Sequence, residues 1–388
     1  QKLQEGGYFM KKNSNFKNIS YTNFELISLL IICVFAIFLG NFPEQIVSIC
    51  GSGSIMGVLV VCFVAYFIYR FTIKKVFENE YDFYEIIQKT YPQWLQKVIG
   101  VILYLFCMMV VYIMINNIVI NLKSTTYRLS ETYELAIYFL LAIFFMARSG
   151  FNAIFRIAGY IAIFMVIYFV LLFVLAIPFL DITNFFPLFG NGFKNIFLDN
   201  LTNLKIFSTF FFLLFFGGTI FKGKPRAMLK NFHKIFGISS AVLLLIVILF
   251  LGSLPLELIT SRNSLIFDIS RLASFSTTSI KLAPAMIFIF SIITYITTSF
   301  IFLVGCMSLE RLKVIKDYSK IIILSMALLA LSFFYKITSI DLRNYIHYFG
   351  YISNILCFVF PVITVFFYLL KKRPKSKKFL LKEVKTNE

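Results

Sequence analysis

The chain has 388 residues, of which 60% are hydrophobic and only 14% are charged. A soluble domain keeps roughly a quarter of its residues charged, so this composition excludes a soluble fold for most of the chain. The formal net charge of +19 would suit a nucleic-acid-binding protein, but most of the 37 Lys and Arg lie on the two tails and on alternate connections between apolar runs. That distribution indicates a membrane protein with both termini in the cytoplasm, and it excludes nucleic acid as the partner.

Apolar runs long enough to cross about 30 Å of hydrocarbon recur from one end of the chain to the other. Because they are continuous and do not alternate as barrel strands do, they predict an all-α transmembrane fold of about ten helices. We place the spans at residues 22–49, 54–73, 97–121, 132–147, 154–180, 203–221, 236–256, 282–308, 320–336 and 345–370.

The tails and the transmembrane domain divide the chain into three parts. Residues 1–21 form a cytoplasmic N-terminal tail, in which we interpret residues 1–9 as an extension ahead of Met10. Residues 22–370 form the transmembrane domain, and residues 371–388 form a basic cytoplasmic tail. The Lys and Arg of this last segment are expected to flank the final span and to attract anionic membrane lipid.

Three connections between the spans are long enough for us to predict where they lie. Residues 74–96 have aromatic and aliphatic side chains at helical spacing, which predicts an amphipathic helix in the cytoplasmic membrane interface, anchored by Trp94. A helix that binds a partner protein is the alternative. The connections at 181–202 and 257–281 are expected to lie outside the membrane and to cover a vestibule.

Ten spans divide into halves of five, at about 22–180 and 203–370. An odd number of spans in each half makes the second half inverted relative to the first. This five-plus-five inverted repeat is the architecture of many secondary transporters, in which helices 1 and 6 are broken at mid-membrane to build the ligand site. We therefore expect broken helices 1 and 6.

Several local patterns resemble one family, the integral-membrane B subunit of bacterial spore germinant receptors, which is related to the amino acid–polyamine–organocation transporters. The resemblance covers nearly the whole chain through the order and spacing of its motifs. These motifs are Asn18-Ile19-Ser20 with the later Asn41-Phe42-Pro43, residues 147–158 (ARSGFNAIFRIA), residues 177–181 (IPFLD) and residues 186–192 (FPLFGNG).

The resemblance implies a membrane subunit of a spore nutrient-germinant receptor. Such a subunit binds a small nutrient, an amino acid or a similar molecule, within the bundle and helps to trigger germination and ion release. It also implies the spore inner membrane as the location, and the receptor's A and C subunits as partners. Two alternatives stay open, an amino-acid permease of the same fold and a scaffold subunit that binds no ligand.

The resemblance also directs attention to two breaks in the helices. Near the midpoint of the first span the family usually has two glycines, whereas this chain has Ala36 and Phe38, with Gly40 close by. In the sixth span the break falls either at Gly217–Gly218, by residue type, or near Ser208-Thr209-Phe210-Phe211, by distance from the flanking prolines. The acidic residue often found after this break is missing in both registers.

Polar side chains of other spans complete the candidate site. Backbone N–H groups at half-helix ends would face a ligand carboxylate, and hydroxyl and amide side chains would line the same cavity. The candidates are Asn116 and Asn117 in span 3 and Thr294, Thr297 and Thr298 in span 8.

Several kinds of chemistry are not expected. Charged residues such as Lys205 fall near span ends, which disfavours a proton pump with a carboxylate at mid-membrane. No clustered acid–base pair, nucleophile or metal-ligand set suggests an enzyme, a metal site or a cofactor. The six cysteines form no CxxC pair and are interpreted as small apolar packing residues.

Overall fold

The computed structural model shows a bundle of helices that suits a membrane. Its regular secondary structure is helical throughout the described residues. Eight helical segments are long and apolar enough to cross a membrane, and two shorter apolar segments accompany them, Asn23–Ile37 within the first helix and Ser319–Ser332. The chain is therefore a multi-pass, all-α membrane protein, as predicted. The described residues are 22–78, 81–127, 129–220, 225–261, 270, 283–315, 317–333 and 339–372.

We number the described α-helices in chain order. A 3₁₀ segment precedes α8, and a π-helical turn, Ile355–Val359, joins α13 to α14. The helices are α1 Asn23–Cys50, α2 Ser54–Glu78, α3 Phe83–Thr90, α4 Gln93–Thr125, α5 Thr132–Ser149, α6 Phe151–Ala176, α7 Phe193–Phe197, α8 Thr209–Ile220, α9 Pro225–Ser253, α10 Leu256–Ser261, α11 Ala283–Arg311, α12 Tyr318–Ser332, α13 Ser339–Asn354 and α14 Phe360–Lys372.

The first span is a single helix with a well-defined start. Thr22 and Glu25 form a capping box in which each side chain accepts a hydrogen bond from the other residue's backbone N–H. The helix then continues past Ala36, and Pro43 lies inside it. This departs from the break that we expected between Ala36 and Gly40. Alanine and phenylalanine keep the helical ladder, and a single proline removes only one of its hydrogen bonds.

The sixth span changes its helix type part-way along. Residues Asp199–Ser208 form a 3₁₀ helix, and α8 continues as an α-helix from Thr209. Of the two positions predicted for a break, the structure therefore has the change at Ser208–Thr209. Gly217 lies inside α8 and marks no interruption of the helix.

The connection 74–96 is more deeply buried than predicted. The second span extends to Glu78, and the amphipathic segment shortens to α3, where Phe83 and Tyr84 are fully buried. The Tyr84 ring lies 4.5 Å from the Phe215 ring of α8, between ring centroids. The apolar face of α3 therefore packs against the bundle and does not lie in the lipid interface. Helical spacing specifies an apolar face but not what covers it.

The connection 181–202 is tied to the turn between α1 and α2. The Asn191 N–H donates to the carbonyl of Cys50 over 3.2 Å. Gly190 has φ +41°, and a Cβ there would overlap the Cys50 carbonyl oxygen and approach the Gly53 nitrogen to 2.5 Å. Only glycine fits so close a contact. The second predicted external connection, 257–281, lies mostly outside the described residues.

Packing within the bundle uses small residues, as the sequence indicated. All six cysteines are free and buried, in agreement with their interpretation as packing residues. Where α11 crosses α4, a Cβ on Gly305 would come within 2.8 Å of the Cys107 Cβ. Close approach through small residues is the usual way for helices to associate in lipid.

Candidate functional site

A cavity of about 80 Å³ lies between α1, α4, the 3₁₀ segment and α13. Its lining comes from the C-terminal halves of α1 and α4 and from the start of the sixth and last spans. The cavity therefore lies toward the end of the bundle that carries the connection 181–202, which is the predicted external end. Its described lining residues are Ala36, Ile37, Gln45, Val110, Ile113, Met114, Asn117, Lys205, Ile206, Ser208, Ile346 and Phe349.

The 3₁₀ geometry decides which residues of the sixth span reach the cavity. A 3₁₀ helix has three residues per turn, so side chains at positions i and i+3 lie directly above one another. Lys205 and Ser208 share one such row, and both line the cavity. Asn200, Asn203 and Ile206 share a second row, in which Asn200 bonds to the neighbouring helix α2 and Ile206 also lines the cavity. In an α-helix side chains three positions apart would instead be offset by about 60° around the axis.

Two buried asparagines hold the 3₁₀ segment against its neighbours. Asn200 donates through Nδ2 to the carbonyl of Gly57 in α2 over 2.7 Å, and its Oδ1 accepts from Asn203 Nδ2 over 2.9 Å. On the other side, Asn354 of α13 donates to the carbonyl of Leu201 over 3.0 Å. These bonds fix the segment that presents Lys205 and Ser208.

Lys205 brings a positive charge to the cavity. Its side chain is half-buried, and its Nζ donates to the carbonyl of Ile346 over 3.4 Å, which is longer than a typical N–H···O bond. Gly350 makes room for it, because a Cβ there would lie 3.2 Å from both the Cδ and the Nζ of Lys205. In the part of the chain that the structure describes, no carboxylate pairs with this ammonium group.

Other polar groups of the lining are amides and a hydroxyl. Gln45 is half-buried on α1, Ser208 is buried, and Asn117 is half-buried on α4. The Oδ1 of Asn117 accepts a bond of 3.3 Å from Asn121 Nδ2. These groups can donate to or accept from a ligand, and apolar side chains surround them, which is the usual composition of a small-molecule site.

The structure brings some of the predicted site residues together at this cavity. Ala36 and Ser208 line it. Asn116 does not line the cavity, and its side chain donates to the carbonyl of Tyr112 over 2.9 Å. The next residue of α4, Asn117, lines the cavity instead. Adjacent helical residues point about 100° apart, so the two asparagines cannot share one direction.

Other candidates lie away from the lining. Thr209 is fully buried at the start of α8, and its Oγ1 has no hydrogen-bond partner among the described residues. Thr294 and Thr298 are buried on α11, where the Thr298 hydroxyl donates to the Thr294 carbonyl over 2.8 Å. At four further candidates the structure describes the backbone but not the contacts with the cavity: Phe38, Gly40, Gly217 and Gly218.

Lys205 and Gln45 line the cavity although the sequence did not suggest them as candidates. Lys205 is near a span end in the sequence, where a lysine normally extends toward the aqueous phase. The sequence holds no local signal for it, because the glycine against which its side chain rests, Gly350, is 145 positions away in the chain. Among the described residues, no group of three or more His, Cys, Asp or Glu could hold a metal ion.

Comparisons with known proteins give a distant structural likeness. No protein-family model matches this chain, and no curated protein matches it significantly. Among solved structures, it is similar to a crystal structure of a mutant of the Eremococcus coleocola manganese transporter, with 11% sequence identity and a TM-score of 0.49. The match covers 93% of this chain and 91% of that chain. A likeness this distant carries no conclusion about substrate or mechanism.

Proposed function

We propose that this membrane protein binds a small nutrient in the cavity beside the 3₁₀ segment, as the membrane subunit of a spore germinant receptor. The nutrient is an amino acid or a molecule of similar size, and its binding helps to trigger germination and ion release. The protein acts by binding and not by catalysis. The observation that carries the binding step is the cavity itself, at the point where the sixth span changes from 3₁₀ to α-helix.

The size of the cavity suits a small solute. One water molecule needs about 10–15 Å³ of cavity space, so about 80 Å³ holds several waters or a solute of a few heavy atoms. Most of the lining is apolar, with a few polar groups that could orient the guest. A cavity of this kind, within a bundle of helices, is a common place for a ligand.

The receptor assignment rests on the resemblance given by the sequence motifs, and the partners follow from it. In this proposal the protein lies in the spore inner membrane with both termini cytoplasmic, beside the receptor's A and C subunits. The basic tail from Lys371 onward contacts anionic lipid of the inner leaflet. A nutrient outside the membrane would then reach the cavity from the external side, because the cavity lies toward the predicted external end of the bundle.

Filling the cavity tests the binding step. Ala36 is 3% exposed and lines the cavity, so Ala36→Leu places three extra carbons where the nutrient would sit. The matched control is Ala327→Leu, since Ala327 is exposed on the outer side of α12. Binding of labelled amino acids and organic acids is measured on the protein in lipid nanodiscs. We expect Ala36→Leu to lose binding and Ala327→Leu to keep it. Equal affinity in both variants would refute this cavity as the site.

Germination of spores that lack the gene tests the receptor role. Loss of the response to one class of nutrient, restored by the wild-type gene but not by Ala36→Leu, is the expected result. Restoration by Ala36→Leu would favour a scaffold that needs no ligand. Unchanged germination together with loss of labelled solute uptake would show a permease.

A further inference from the structure

Lys205 is the feature of the cavity that the proposed function does not yet use. Lys205 lines the cavity, on the row of the 3₁₀ segment that it shares with Ser208. The side chain rests against Gly350 and donates one long bond of 3.4 Å to a backbone carbonyl. An ammonium group has three N–H donors, so most of its bonding capacity is free for a ligand.

A lysine at the end of a membrane span usually extends along the helix toward water. The position of Lys205 is different, because its side chain crosses from the 3₁₀ segment to α13 and packs on Gly350. Charged residues that face the interior of a bundle are uncommon, and they usually pair with another group or mark the path of a solute. No described carboxylate pairs with Lys205.

The rest of the lining indicates what kind of anion would fit. Four apolar side chains share the lining with Lys205, those of Ala36, Ile113, Ile346 and Phe349, and the last three belong to one apolar cluster. This surface suits a hydrocarbon body, which a bare inorganic ion lacks. None of the described lining residues is acidic. A second positive charge on the guest would therefore face Lys205 without a counter-ion.

We propose that Lys205 binds the carboxylate of a small monovalent organic acid, whose apolar body lies against Ile346 and Phe349. This inference rests on the proposed function, because it names the class of solute for the same cavity. A short-chain carboxylate is preferred over the zwitterionic amino acid of the same size. The α-ammonium of an amino acid would be desolvated near Lys205 with only amide and hydroxyl oxygens to receive it.

The test compares three guests of similar size on the protein in nanodiscs of uncharged lipid. Propionate carries only the carboxylate, L-alanine carries both charges, and n-propylamine carries only the ammonium. Lys205→Met removes the charge and shortens the side chain by only one atom, and Lys205→Arg keeps the charge. Lys194→Met is the matched control, because Lys194 is exposed on the same side and its replacement removes one positive charge outside the cavity. Thermal unfolding checks that each variant is folded.

The expected result is that propionate binds more tightly than L-alanine, and n-propylamine least. Losing a hydrogen-bonded charge should weaken propionate binding about 10- to 100-fold in Lys205→Met. Lys205→Arg should retain most of the affinity, and Lys194→Met all of it. Full competition by an equal concentration of chloride would show a general anion site and overturn the choice of an organic acid.

Failure of this inference and failure of the proposed function give different results. If a guest binds, and Ala36→Leu abolishes its binding while Lys205→Met leaves it unchanged, the cavity is the site and the role of Lys205 is refuted. If L-alanine binds more tightly than propionate to the wild-type protein, the preference for a monoanion is refuted. If none of the three guests binds to the wild-type protein but a larger amino acid does, the inference about Lys205 falls and the proposed function stands. If no amino acid or organic acid binds, both proposals fall.

Discussion

Asn200 provides a direct test of how the cavity is held in shape. The residue is fully buried, and its side chain bonds to the Gly57 carbonyl over 2.7 Å and to Asn203 over 2.9 Å. Asn200→Ala removes both bonds. It also leaves the Nδ2 of Asn203 without the acceptor that it has in the wild-type protein. The 3₁₀ segment would then lose its polar attachment to α2.

The size of the effect follows from these contacts. Hydrogen bonds between side chains in membrane bundles are worth about 0.6 kcal/mol on average and up to about 1.7 kcal/mol. A buried polar group that loses its partner costs about 1–3 kcal/mol. We therefore expect Asn200→Ala to lower the free energy of unfolding by about 2–3 kcal/mol.

Thermal unfolding of the purified protein in nanodiscs measures this loss, and solute binding measures its effect on the cavity. The control is Asn195→Ala, since the Asn195 side chain makes one exposed bond of 3.1 Å to the Asn191 carbonyl. An exposed bond of this kind contributes little, so the control should unfold at the wild-type temperature. Asn200→Ala should unfold several degrees lower and bind its solute more weakly. If the two variants unfold at the same temperature, Asn200 does not hold the 3₁₀ segment.

Two pairs of glycine substitutions test the packing. Gly190→Ala should cost several kcal/mol, because its Cβ would overlap the Cys50 carbonyl. Gly192→Ala meets no atom within 4 Å and should cost only the roughly 1–3 kcal/mol of a backbone conformation that other residues rarely adopt. Equal thermal shifts would contradict the close contact at Gly190. Gly305→Ala should destabilise the crossing of α11 over α4, since the new Cβ would meet a side chain at 2.8 Å. Gly237→Ala has open space and should stabilise α9 by up to about 1 kcal/mol, and a loss of stability there would refute this reasoning.

The membrane class and the positions of the spans could be predicted from the sequence, because they depend on composition along the chain. A run of about 20 apolar residues has few alternatives to a membrane helix. The change at Ser208–Thr209 falls within one of the two stretches predicted, residues 208–211, which was inferred from the distance to the flanking prolines. The burial of the six cysteines also followed from their apolar surroundings.

Other features depended on which element packs on which. The helical spacing of α3 showed an apolar face, but only the structure shows that Phe83 and Tyr84 pack inside the bundle. The first span lacks the break expected near Ala36, since the local sequence does not oblige the helix to unwind.

What the sequence by itself determined is therefore the class of protein, the spans and a short set of polar residues, since hydrophobicity and charge act through local composition. What only the tertiary structure decided is which of these residues share a cavity. Lys205 lies near a span end in the sequence, but the three-residue turn of the 3₁₀ segment and the space at Gly350 direct it inward. Such a direction depends on helix type and on a neighbour 145 positions away, and a local pattern contains neither.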